Sequence, residues 1–180
     1  MTYPIDVRGV LDTLAAERIV TGDIGIGDVE LGDQAYAFLG PAVFEIRLTN
    51  TGAGIVASGT AEAVVRTACV RCLCDFDMTY TGEVEGFYIF PGREDELPEE
   101  QEFEFISESL KVDIEPAVRQ AIIVDLPFAP VHDPDCKGIC PVCGLDRNAG
   151  ECGCEPAAVE SPFASLKGLL GAGGEAGPGS

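Results

Sequence analysis

Histidine occurs once in this sequence, tryptophan is absent, and only 11 of the 180 residues are Lys or Arg. Each scarcity excludes something. A histidine-based catalytic triad would have to use His132, and nothing around "APVHDPDC" supplies the other members. Against 31 Asp and Glu the few bases leave a net charge of −20. A surface so negative repels nucleic acid unless a basic patch is assembled locally, and it steers basic proteins toward itself. The acidity is spread along the chain, with 13 acids and 5 bases in residues 1–90 and 18 and 6 in residues 91–180. No apolar run approaches the ~20 residues of a membrane span, and "MTYPIDVRGVLDTL" lacks the basic and apolar regions of a signal peptide. Neither a GxxxxGK phosphate loop, an HExxH helix nor a serine elbow is present. No small-molecule substrate and no membrane partner are expected.

What the chain has in quantity is cysteine. Eight are present, five of them within "CKGICPVCGLDRNAGECGC", residues 136–154. A protein that stays in the reducing cytoplasm rarely keeps disulfides, so these thiols read as metal ligands. "CPVCG" has the form of a zinc knuckle: two thiolates three apart, then a small residue that lets main-chain N–H groups turn toward the sulfurs. Asn148 and Gly150 mark a second turn, after which Cys152 and Cys154 can complete a tetrahedron. Ile139, Val142 and Leu145 are the only apolar side chains of size in this stretch. They cannot offset an ordering cost of roughly 1–2 kcal/mol per residue, whereas a structural zinc contributes on the order of 10–16 kcal/mol.

A second group, Cys69 and Cys72 with Cys74 nearby, lies in "CVRCLC". It could share an ion with Cys140 and Cys143, or take a separate one with Cys136; one zinc, with room for two, is expected. Cys74 reads as a small buried hydrophobe beside a strand, and His132 as a surface residue, with a fifth metal ligand as the lesser alternative. The spacing CxxxCxxC also fits an iron–sulfur ligand set, but such sets open large barrels and only 37 residues follow Cys143. A metal-dependent enzyme, such as an RNA-processing nuclease, would need an open coordination position and a general base, and the sequence offers neither.

Hydrophobic periodicity places the rest. "AVFEIRLTN" and "GIVASGTAEAVVRTA" read as strands, and "DFDMTYTGEVEGFYIF" alternates apolar Phe76, Met78, Tyr80, Val84 and Tyr88 with polar residues. "CVRCLC" therefore sits where two antiparallel strands turn. Gly22, Gly25, Gly27 and Gly32 suggest turns, and "IDVRGVLDTLAAERIV" a strand running into a short helix. "PGREDELPEEQEFEF", with seven acids between Glu94 and Glu104, reads as an exposed loop. A core helix is expected over 113–126, with Asp113 as N-cap, Pro116 in its first turn and Ile114, Ala117, Val118, Ala121 and Ile122 on one face. The expected architecture is α+β: a curved antiparallel sheet with one core helix in residues 1–130, a zinc-knuckle module in 131–158, and an amphipathic stretch with a disordered tail in 159–180.

"ACVRCLCDFD", "LPFAPVHDPDCKGICPVCGLDRNAGECGC" and "SPFASLKGLL", in that order, resemble the bacterial YceD family of large ribosomal RNA subunit accumulation proteins. The resemblance implies a non-enzymatic factor of ribosome biogenesis, needed for normal levels of large-subunit ribosomal RNA. Its genes often neighbour one for a small basic protein of that subunit. The implied partners are precursor large-subunit RNA, a basic large-subunit ribosomal protein, or both; a zinc-stabilised adaptor unrelated to ribosomes is the alternative. Arg71, at the hairpin tip, could contact phosphate or neutralise a metal site, and Phe163 and Leu166 are further candidate partner contacts. The family tail often carries DPR followed by Phe or Trp, where this chain has Ser161, Pro162 and Phe163.

Overall fold

The computed structural model describes residues 2–98 and 100–155. Two compact units divide the chain, Met1–Cys136 and Lys137–Ser180. The first is mostly antiparallel sheet with few helices, an α+β arrangement. Strand β1 (Pro4–Asp6) leads to a single helical turn, α1 (Arg8–Leu11), then β2 (Glu17–Ile24), β3 (Val29–Leu31), β4 (Gln34–Phe38), β5 (Ala42–Asn50), β6 (Ile55–Ala68) and β7 (Asp75–Ile89). A 3-10 turn at Glu94–Glu96, β8 (Glu104–Phe105), β9 (Lys111–Asp113) and helix α2 (Glu115–Asp125) follow.

The three strands anticipated from periodicity are β5, β6 and β7, and they form the middle of a seven-stranded sheet. β6 pairs with β7 along its whole length, from Ile55↔Tyr88 to Ala68↔Asp75. Its other edge is shared by β5 and then β4, while β2 lies outside β5 and β3 outside β4. Only β8 runs parallel to its neighbour, meeting β7 at Tyr88 and Ile89. β1 and β9 make a separate two-stranded ribbon. In β5 the burial alternates residue by residue, with Phe44, Ile46 and Leu48 inside and Val43 outside. One face thus carries the core and the other meets solvent.

Two local expectations change. Gly22 lies within β2 rather than at a turn, because a side chain there would strike the Tyr3 ring and Phe44, whose Cζ would be 2.8 Å away. Those two rings meet edge to face at 5.2 Å. Asp113 ends β9 and Ile114 is the N-cap of α2, although the Asp113 carboxylate still accepts from the Glu115 N–H at 3.1 Å and the Tyr3 N–H at 2.8 Å. Pro116 occupies the first turn, where a missing N–H costs no helical bond. Val118, Ala121 and Ile122 are the buried residues of the helix, and each large one contributes about 1.5–3 kcal/mol by leaving water.

Gly82 sets how closely α2 approaches the sheet. A Cβ at this position would meet the Ala121 carbonyl oxygen, and the Ile122 nitrogen would be 3.1 Å from it. Both obstacles are main chain and cannot rotate away. Gly82→Ala should therefore destabilise the protein by about 1–3 kcal/mol, read as a lower midpoint in urea unfolding.

Candidate metal centres

The segment between β6 and β7 is a tight turn built by its own main chain. The Cys69 N–H donates to the Cys74 carbonyl at 2.9 Å and the Leu73 N–H to the Cys69 carbonyl at 2.8 Å. Leu73 takes a positive φ of 62° to close it. Cys69 and Cys72 face inward and are buried, while Cys74 is exposed. The expectation of a buried Cys74 is therefore corrected: as the last residue before β7, it faces solvent at the rim of the turn.

The chain after α2 returns to this turn. The Val70 N–H donates to the Pro130 carbonyl at 3.0 Å. The Arg71 guanidinium donates to the carbonyls of Pro134 and Cys136, at 2.8 and 3.1 Å. Arg71 thus holds the 132–136 segment against the hairpin. Cys136 and His132 arrive beside Cys69 and Cys72, and the ligand atoms of all four lie within 4.8 Å of one another. His132 is exposed, so it does lie at the surface, but its ring sits edge-on to Phe76 at 6.2 Å and its Nδ1 is 3.4 Å from the Cys72 sulfur. The sequence set a metal-ligand place for His132 behind a surface one, because the cysteines it meets are 60 residues away.

These separations match a four-coordinate ion. Zinc–sulfur bonds near 2.3 Å and tetrahedral angles put two sulfurs about 3.8 Å apart and a sulfur and imidazole nitrogen about 3.5 Å apart. The Cys69 and Cys136 sulfurs are 3.9 Å apart. Cys74 does not fit the same shell, since its sulfur lies 3.0 Å from that of Cys72, too close for two ligands of one ion.

In the second unit, described over residues 137–155, a small hairpin presents the other group. The Cys140 N–H donates to the Leu145 carbonyl at 2.8 Å, the Gly144 N–H to the Cys140 carbonyl at 2.8 Å, and the Arg147 N–H to the Gly138 carbonyl at 2.9 Å. Gly144 has a φ of 74°, the left-handed conformation that an ordinary side chain resists. Cys140, Cys143, Cys152 and Cys154 bring their sulfurs within 4.8 Å of one another. Val142 is 58% exposed and Leu145 43% exposed, so two of the three apolar side chains contribute little core. None of the eight cysteines forms a disulfide.

Both groups favour thiolate at one position. Burial pushes the Cys69 thiol up, but hydrogen bonds from the His132 ring and main chain, and from the N–H groups of Cys72 and Arg71, outweigh it and hold the thiol at about 5. N–H groups of Cys143 and Val142 bring Cys140 down to about 6. Their neighbours keep their protons: Cys72 is raised chiefly by its hydrogen bond with Cys74, and Cys154 is pushed up to about 12 by one with Cys143. A bound cation would displace those retained protons. Phe163 and Leu166 lie outside the described residues.

The family description that matches residues 57–170 is that of the large ribosomal RNA subunit accumulation protein YceD, and it spans the hairpin, the helix and both cysteine groups. This chain belongs to the YceD family. Uncharacterized proteins of Mycobacterium bovis and Mycobacterium tuberculosis are each 30% identical to it over 128 residues, which is 71% of this chain and 61% of theirs. One from Mycobacterium leprae is 25% identical over 104 residues, 58% of this chain and 48% of its own. The YceD chain thus spans about three-fifths of the length of the first of these relatives. No solved structure matches it. Within the described residues of this YceD protein, no helix is long and apolar enough to cross a membrane.

The two Arg71 hydrogen bonds have a measurable consequence. Arg71→Gln should release the 132–136 segment, with the amides there exchanging with deuterium about tenfold faster or more, since charge-assisted bonds of this kind contribute about 1.5–3 kcal/mol. Exchange in β5 should not change.

Proposed function

We propose that this protein is a non-enzymatic factor in the accumulation of large-subunit ribosomal RNA. It is built around two structural zinc ions and acts by binding a basic large-subunit ribosomal protein. Membership of the YceD family supports the ribosomal role. The observation that carries the protein partner is electrostatic. The solvent face of the sheet sets Glu45, Glu62, Glu83 and Glu85 on adjoining strands, separated by short side chains such as Ser58 and Thr60. Arg47, on the same face, is paired with Glu17 at 3.6 Å. Phosphate would be repelled by such a face and cationic side chains attracted to it.

Arg71 favours the same choice. Its guanidinium already donates to two carbonyls, which leaves less of it for RNA phosphate. The first zinc would be held by Cys69, Cys72, His132 and Cys136, the second by Cys140, Cys143, Cys152 and Cys154. Three thiolates with an imidazole, and four thiolates, are donor sets that zinc fills in closed structural sites. Bound there, zinc supplies cross-linking and charge neutralisation. The reducing cytoplasm suits thiolate ligands of this kind.

The test of function is depletion and complementation in the source cell. Loss of the protein should lower large-subunit RNA relative to small-subunit RNA, and the wild-type chain should restore it; an unchanged ratio on depletion would end the reading. Capture of the tagged protein should retain a basic ribosomal protein after nuclease treatment. RNA retained after all ribosomal proteins are washed off would instead favour direct RNA contact.

The metal assignment is checked by native mass spectrometry. Two zinc ions per chain are expected in the wild type. Cys152→Ser with Cys154→Ser should retain one, and His132→Ala with Cys136→Ser should also retain one. A wild-type count of one or none would overturn the two-ion assignment.

A further inference from the structure

A broad groove of about 1060 Å³ opens within the first unit, between the end of β7, the segment leading into β8, and the first turns of α2. Three of its features together describe an occupant. The first is an open strand edge. The Ile106 N–H donates to the Ile89 carbonyl at 2.8 Å, so the main-chain groups of Ile89 point toward β8. By the alternation of a strand, those of Phe87 and Glu85 point the same way. β8 pairs with β7 at Tyr88 and Ile89, a parallel register that gives the Phe87 carbonyl to the Glu104 N–H, but among the described residues no strand covers the Phe87 N–H or the main-chain groups of Glu85 before it.

The second feature is apolar. Phe87 and Phe103, both half-buried, contribute to the groove wall, and Phe103 is braced by Phe105 at 5.5 Å. The third is charge. Glu85, Glu102 and Glu104 line the groove, and none of them takes part in an ion pair among the described residues. Glu104 is also crowded: burial raises its pKa first, and the carboxylates of Asp113 and Glu115 raise it further. A cation placed here would relieve that repulsion.

We propose that this groove receives an extended, basic peptide segment of a partner protein, which adds a strand to the open edge of β7. Its main chain pairs with the N–H and carbonyl of Glu85 and with the N–H of Phe87, its Lys or Arg side chains meet Glu85, Glu102 and Glu104, and an alternate apolar side chain packs on Phe87 and Phe103. Strand addition draws affinity from main-chain hydrogen bonds and selectivity from alternate side chains. The proposal deepens the function given above, and rests on it for the identification of the partner as a basic large-subunit protein.

The probe is a fluorescein-labelled heptapeptide alternating Lys and Val, measured by fluorescence anisotropy against the full-length, metal-loaded protein. Two triple variants remove the same charge. E85Q/E102Q/E104Q strips the groove, and D12N/D33N/D125N strips exposed carboxylates that belong neither to the groove nor to the acidic sheet face. The groove variant should bind about tenfold more weakly and the control variant less than twofold. A peptide N-methylated at alternate amides, in the register that blocks pairing, should lose most of its affinity.

Equal weakening by both triples would mean attraction to bulk charge alone and would overturn the site. Undiminished binding of both registers of the N-methylated peptide would overturn strand addition. An oligouridine RNA that binds more tightly than the peptide and competes it from the groove would also overturn it. The same variants, returned to depleted cells, separate this site from the cellular role. Failure of the wild-type chain to restore large-subunit RNA counts against the function. A groove variant that folds, restores the RNA fully and binds the peptide like the wild type counts against the groove alone.

Discussion

The rest of the first unit depends on the hydrogen-bonded ladder between β6 and β7. These strands stay in register from Ile55 opposite Tyr88 to Ala68 opposite Asp75, so the hairpin is long relative to everything attached to it. A shift of one residue would turn Val84 and Tyr88 out to solvent, and with them the surface on which α2 rests. The same ladder fixes where the connecting turn lies. Cys69 and Cys72 are brought to its tip by register, without any contribution from the cysteines themselves. At the opposite end the ladder finishes at Tyr88, where β8 takes over the outer edge.

Strand patterning was easy to read because period-two alternation is a property of neighbours in sequence. β5, β6 and β7 are long enough to show it, and α2 showed its apolar face and its proline-marked start. The hairpin of β3 and β4 escaped notice because three- and five-residue strands hold too few alternations. Gly22 misled for a related reason. Glycine marks turns often, but here it makes room for two aromatic rings, and that need arises from Tyr3 and Phe44 rather than from its neighbours.

The cysteine groups divide along the same line. Cys140, Cys143, Cys152 and Cys154 lie close in sequence, and local turns bring them together. The other group is nonlocal, and a single histidine in a polar loop gives no sign that a hairpin 60 residues earlier will meet it. The pattern "VHDPDC" would have carried that information only alongside knowledge that Arg71 folds the loop back. Arg71 itself, weighed as a phosphate contact or a neutraliser of the metal site, holds loop carbonyls.

The sequence separations of the two cysteine groups impose an order on the birth of the protein. Cys69 and Cys136 are 67 residues apart, so their gathering closes a long loop and must await synthesis of nearly the whole first unit. Closing such a loop costs about 1.4 kcal/mol more than closing one the size of the 140–154 cluster. During translation the β6–β7 hairpin can form while its thiols are still without their later partners, and Cys136 emerges just ahead of the self-contained cluster. For that interval Cys69 and Cys72 lack the neighbours that later enclose them. The nascent chain is then most exposed to oxidation at these thiols.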